Sequence, residues 1–178
     1  MGCILSWEEY LKTIDRFVSM AVAGLCSLAS VPGHAENGTV DLVLTTTAKV
    51  FAVEMGESTV TASGGNGTLK ITRSSGRSFV EGASATVQYV SFSKTQPSGL
   101  ELEADAVATF SQDDTLLLLF QRGSDDPGTS GEGNIKFTGG TGRFAGISGQ
   151  CRYKMDHSPD DKDVTVAKCQ WVYSFPYR

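Results

Sequence analysis

FTGGTGRFAGISGQCRYK, residues 137–154, is the stretch whose reading decides the fold. It carries five glycines, Gly139, Gly140, Gly142, Gly146 and Gly149, and it runs into Cys151. A phosphate-cradling loop of the Walker type needs Gly-Lys-Ser/Thr between a strand and a helix. No Gly-Lys-Ser/Thr occurs in the chain. A dinucleotide fingerprint needs Gly-x-Gly-x-x-Gly opening a helix, whereas GTGRFAG is one residue too long and a strand pattern follows it. The glycines therefore read as backbone devices. Gly139, Gly140 and Gly142 permit positive φ at a sharp corner. Phe144 fills the core as the chain re-enters. Gly146 and Gly149 allow bending, close approach or room for Trp171.

After the corner the pattern alternates. Ile147, Gly149, Cys151, Tyr153 and Met155 fall on one side and Gln150, Arg152 and Lys154 on the other, the signature of a strand with one buried face. Setting Cys151 opposite Cys169 on an antiparallel neighbour puts Tyr153 against Ala167, Gly149 against Trp171 and Ile147 against Tyr173. Each large residue then meets a small or apolar one. Cys169, Trp171, Tyr173 and Phe175 share one face of the last strand. Tyr153, Trp171, Tyr173 and Phe175 are accordingly the candidate barrel lining. A Cys151–Cys169 disulfide would staple this hairpin around a loop near HSPDDKD, and closing a loop of that length adds roughly 3 kcal/mol in the chain-entropy model.

The rest of the chain from residue 36 is also β-patterned. TVDLVLTTTAKVFAV (39–53) predicts a long first strand. STVTASGGNGTLKITR (58–73) predicts a hairpin turning at GGNG. SATVQYVSFSK (84–94) and GLELEADAVATFS (99–111) predict two strands joined at TQPSG. DTLLLLFQR (114–122) follows a turn at QDD, and its unbroken leucines predict burial on both faces. SDDPGTSGEG (124–133) is a loop. The count is about eight strands with no helical period, which predicts an all-β, eight-stranded antiparallel barrel, since closure removes exposed edges.

The first 35 residues differ. RFVSMAVAGLCSLASVPGHA (16–35) has one arginine, an apolar run and a small-residue end, the pattern of a secretory signal with cleavage between Ala35 and Glu36. The run is short of the about 20 apolar residues of a membrane span. The preceding residues are acidic rather than basic, so an attached amphipathic helix is the alternative. MGCILS fits a myristoylation pattern, but that conflicts with the export signal behind it, and Leu25 stands where a lipoprotein site at Cys26 wants a small residue. The expected organisation is a signal peptide over 1–35 and one barrel domain over 36–178, periplasmic or secreted, with no stable membrane span after cleavage. Two cysteines, Cys151 and Cys169, then remain, and in an exported chain they read as one disulfide.

FTGGTGRFAGISGQCRY resembles the signature turn of the allene oxide cyclase-like barrel superfamily. That group includes plant allene oxide cyclases, dirigent proteins and many small exported bacterial proteins, and the last are the nearest in pattern. Gly139 to Gly149, Cys151, Cys169 and Trp171 carry the resemblance, which is clear over 114–175 and only stylistic before it. It implies an eight-stranded antiparallel barrel with an apolar cavity. A trimer is implied by the resemblance alone. No catalytic residue of the family aligns here, so none is carried across.

The remaining chemistry is sparse. The formal net charge is −5, and no basic run forms the footprint that nucleic acid or an anionic membrane requires. His157 is the one histidine beyond residue 35 and stands in an Asp-rich loop, which speaks against a triad or a zinc site. Asp113-Asp114, Asp125-Asp126 and Asp160-Asp161-x-Asp163 lack the ligand spacing of a calcium loop and read as turn formers. Asn37 and Asn66 each begin an NGT acceptor, used only in a eukaryotic secretory route. Lys49, Gln88, Glu103, Asp105, Gln121 and Arg122 interrupt apolar strands, and their expected place is the outer face. No metal and no cofactor is expected. The functional expectation is a small exported barrel that binds a small apolar ligand. The alternatives are a cofactor-free isomerase or cyclase and a structural envelope protein with a filled barrel.

Overall fold

Alternation of apolar and polar residues along nearly every segment leaves one solution that hides all the apolar faces together, a sheet rolled onto itself. The computed structural model describes residues 36–124, 131–158 and 162–173, all inside the unit Gly33–Arg178, and for His157 and Ser158 the backbone alone. The predicted signal with Ala35, the segment 125–130, residues 159–161 and Phe175 lie outside the described residues.

The strands are β1 (Glu36–Met55), β2 (Ser58–Ser74), β3 (Ser84–Gln96), β4 (Gly99–Thr109), β5 (Thr115–Ser124), β6 (Gly131–Gly140), β7 (Ile147–Ser158) and β8 (Lys162–Tyr173). Each pairs antiparallel with the next, and β8 returns to β1, closing an eight-stranded barrel. The register of β7 on β8 is the one expected from the sequence: Cys151↔Cys169, Tyr153↔Ala167, Gly149↔Trp171 and Ile147↔Tyr173. A disulfide joins Cys151 and Cys169, whose Cα atoms are 3.9 Å apart.

The corner expected at 139–146 is built by a short 3-10 turn, Gly142–Phe144, between β6 and β7. Gly142 adopts φ +56°, and a Cβ there would also lie 2.2 Å from an Asp114 carboxylate oxygen, so no other residue fits. Gly139 and Gly146 also have positive φ. Gly140 serves space instead: a Cβ there would meet the Thr115 carbonyl and Phe144. Phe144 is fully buried. Asp114 holds the corner to the β4–β5 turn. Its carboxylate accepts from the Arg143 backbone N–H at 3.0 Å and pairs with the Arg143 guanidinium at 3.4 Å. That guanidinium also lies over the rings of Phe110 and Phe144, 5.1 and 5.0 Å from their centroids.

Two expectations are corrected here. GGNG is not a turn. Residues 64–67 sit in mid-β2, between β1 and β3, and the turn lies at Gly56-Glu57. A Cβ on Gly65 would fall 1.9 Å from the Thr47 carbonyl oxygen, so these glycines let β1 and β2 approach closely. The leucine run is not buried on both faces. Leu116 and Leu118 are buried, whereas Leu117 is 39% exposed, because none of the described residues covers the outside of this wall. Of the roles expected for Gly149, the structure has the close approach: a Cβ there would meet the Phe137 ring and the Gln170 carbonyl, while Gly38 and Gly76 flank the Trp171 indole.

The interior divides into two ends. At one, Phe79 from the β2–β3 loop inserts between Phe137, Phe144 and Trp171, with ring centroids 5.7, 5.3 and 5.5 Å away. Phe110 continues the cluster, 5.0 Å from Phe144. The loop is anchored by the Glu36 carboxylate, which accepts from the Arg77 N–H and the Ser78 hydroxyl. This end is plugged. At the other end, among the described residues, β1 pairs with β8 from Glu36 to Thr46, whereas it pairs with β2 as far as Met55, with β3 and β4 still paired beyond β2.

Candidate functional site

Inward positions follow the parity of each strand, so the size of the inward side chain decides whether the barrel is filled. Towards the open end those positions turn small or polar. β3 places Ala85 and Val87 in the core and then Tyr89 and Ser91, and β4 contributes Ala104 and Ala106. The result is a cavity of about 160 Å³. Leu44, Leu102, Phe120 and Met155 supply most of its apolar wall, with Thr46, Ser63, Ser91, Asp163 and Thr165 as polar positions and Tyr89 and Tyr153 reaching in. The Ser63 and Ser91 hydroxyls are hydrogen-bonded to each other at 2.5 Å.

Two tyrosines give the site its polarity. Burial pushes the Tyr89 hydroxyl above its ordinary range, a hydrogen bond with Thr46 pulls it partly back, and the nearby Asp163 carboxylate raises it again. Burial also raises Tyr153, and the Arg122 guanidinium partly offsets the rise. Both phenols therefore stay protonated at neutral pH and can donate a hydrogen bond into the cavity. Tyr153 packs edge-on to Phe120, centroids 5.7 Å apart, and its ring covers Gly133, where a Cβ would lie 2.6 Å from the hydroxyl.

Arg122 corrects a sequence expectation. It does not sit on the outer face but is 5% exposed. It continues the inward parity of Leu116, Leu118 and Phe120 in β5. Gly131 makes this feasible, because a Cβ there would fall 2.3 Å from the guanidinium. Lys49, Gln88, Glu103 and Asp105 are exposed as expected, and Gln121, half-exposed, donates to Glu103 at 3.0 Å.

Of the candidate lining residues, Tyr153 borders the cavity. Trp171 also points inward but belongs to the plug, buried to 1% exposure, and its indole N–H meets no acceptor among the described residues. Tyr173 is half-buried against the same core, and Phe175 lies outside the described residues. The side chain of His157 is not described; the backbone pairs with Asp163. Among the described residues no group of three or more His, Cys, Asp or Glu could hold a metal ion, and no helix is long and apolar enough to cross a membrane.

Tyr89, Thr46 and the alanine pair of β4 were not singled out from sequence, and Asp163, read there as a turn former, instead lies in β8 at the cavity border. The available signal was the inward parity of β3, where aliphatic residues give way to tyrosine and serine. A run of inward positions that turns polar marks where close packing stops.

No family model matches the chain, and no curated protein matches it. Among solved structures the chain is similar to the pterocarpan synthase dirigent protein GePTS1, at 13% identity and a TM-score of 0.47 over 80% of this chain and 90% of that one. It is likewise similar to the pterocarpan synthase dirigent protein PsPTS1, at 14% identity and a TM-score of 0.48 over 80% and 97%. Dirigent proteins are among the groups that residues 137–154 resemble. No site residue and no activity is carried over from either structure.

Proposed function

We propose that this barrel is a binding module for a small, mainly apolar molecule about the size of one ring. The observation that supports the reading is the cavity of about 160 Å³ at one end of a barrel whose other end is packed with aromatic side chains. An apolar cavity of about 150 Å³ accommodates benzene, and the few polar groups at its border suit a single hydroxyl or carbonyl on the ligand. Native mass spectrometry of protein purified from its own host is expected to show a retained small mass. A panel of ring-sized compounds is expected to raise the melting temperature of the wild type. Ala104→Leu, which fills the cavity, should remove that rise while leaving the fold intact. Apo protein alone, with a melting temperature unmoved across the panel, would sink the reading and favour a filled structural barrel.

A second reading is supported by Tyr89. A protonated phenol held beside Thr46 and facing a carboxylate at the border of an apolar cavity has the parts for proton transfer without a cofactor. In a cofactor-free isomerase or cyclase, Tyr89→Phe would keep ligand affinity and abolish conversion of the bound compound. Unchanged conversion overturns that assignment.

We also infer export. The Cys151–Cys169 disulfide suits an oxidising compartment, and the pattern over 16–35 suits a cleaved signal. Protein recovered from the exported fraction is expected to begin at Glu36 and to resist thiol labelling until reduced. An intact Met1 terminus, or labelling of Cys151 or Cys169 without reductant, overturns it.

A further inference from the structure

We propose that the far end of β1, residues 47–55, is a self-association edge, on which a second copy of this chain docks strand to strand. The inference is independent of what the cavity holds.

Beyond Thr46, β1 has β2 on one side and no described strand on the other. Among the described residues, 47–55, TAKVFAVEM, thus present an unpaired row of backbone donors and acceptors. Folded proteins protect such edges with proline, bulges or repeated lysine. This edge has one lysine, Lys49, and no proline. The register shift of β1 lies far away, between Asp41 and Leu42. The outward face beside this edge is also apolar. Val50 faces the cavity side, and Phe51, Val53 and Met55 face outward, at 65, 69, 44 and 62% exposure. The outer face continues across Ala62 to Phe92, itself 65% exposed, through the pairings Phe51↔Ala62 and Ala62↔Phe92.

A second copy fits this edge better than an unrelated strand, because the edge is complementary to itself. In an antiparallel two-fold pairing centred on Val53, Phe51 meets Met55 of the second copy, Met55 meets Phe51, and Lys49 reaches Glu57 at the second copy's β1–β2 turn. Both unlike charges and apolar residues are matched twice by one rotation. A pairing centred on Phe51 would set Lys49 against Val53 instead. The β1 edges of the two copies then join their walls into one continuous antiparallel sheet across the dyad.

Sedimentation equilibrium of the protein as its host processes it is expected to show a monomer–dimer equilibrium. Lys49→Glu should weaken the dimer about tenfold, since it replaces two attractions by two repulsions. Glu57→Lys should do the same, and the double variant should recover the wild-type constant. Phe51→Asn should weaken it further, with thermal melting of the monomer unchanged because the side chain is exposed. A monomer at every concentration up to ~100 μM, or an oligomer whose constant ignores the charge swap, overturns the proposal. A trimer held through the barrel wall would give the second result.

Discussion

The two ends of the barrel are made from the same strands with the same alternation, yet one is solid and the other hollow. At the plugged end three segments outside the regular wall join Trp171 of β8. Phe79 comes from the β2–β3 loop, Phe144 from the 3-10 turn, Phe110 from just past β4, and Trp171 comes from near the end of β8. At the cavity end the inward positions are filled only by what the strands bear, and Ala104, Ala106 and Ser91 leave the space unfilled. Eight strands alone enclose an interior that side chains can just fill. Filling is thus a choice of inward residues and loop insertions. The close aromatic packing lies where loops reach in, and the cavity lies where they do not.

The largest expected effect tests that division. Phe144→Ala removes a fully buried ring that touches Phe79 and Phe110 and carries the Arg143 guanidinium. It should cost about 3–5 kcal/mol in denaturant unfolding. Phe120→Ala deletes the same atoms at the cavity, where one side of the ring already lacks neighbours. The lost contacts are fewer, and the cost should be roughly half as large. Equal costs would mean that the hollow end is as tightly packed in solution as the plugged one, and the division would fall.

The halves also differed in how far the sequence revealed them. The register of β7 on β8 was legible because Cys151 and Cys169 fix one pair, and every large residue then met a small or apolar one. Phe144 was legible because it follows a glycine corner and precedes an alternating run. Residues 64–67 misled, because glycine serves a turn and a close approach equally well, and only the 1.9 Å from Gly65 to the Thr47 carbonyl tells them apart. Arg122 misled because its inward place depends on Gly131, a neighbour across a loop. The cavity was legible least. Ala104 and Ala106 read as ordinary inward strand residues, and whether an alanine leaves a hole depends on the six or more side chains that face it across the barrel.

The smallest expected effect separates the ends by pH. At the plugged end, hydrogen bonding from the Arg143 backbone N–H is the main cause that lowers Asp114, aided by the Ser111 hydroxyl and the Arg143 charge against an opposing desolvation. A carboxyl lowered in the folded state binds its proton less readily there than when unfolded. Its contribution is complete above about pH 4, the ordinary carboxylate range, and is lost as pH falls through the lower folded value. At the cavity end Tyr89 and Tyr153 are raised, chiefly by burial. Their neutral forms suit the folded state, so their contribution is complete below about pH 10 and is lost as pH rises toward the folded values. Thermal melting across pH should therefore fall at both extremes for different reasons. Asp114→Asn should flatten the acid limb alone, by no more than the ~0–1 kcal/mol of an exposed ion pair. Tyr153→Phe should flatten the alkaline limb alone, and ultraviolet titration should show one late-ionising tyrosine fewer. If Tyr153→Phe instead reshaped the acid limb, the ends would be coupled through the wall, and the plug would not be a separate stabilising unit.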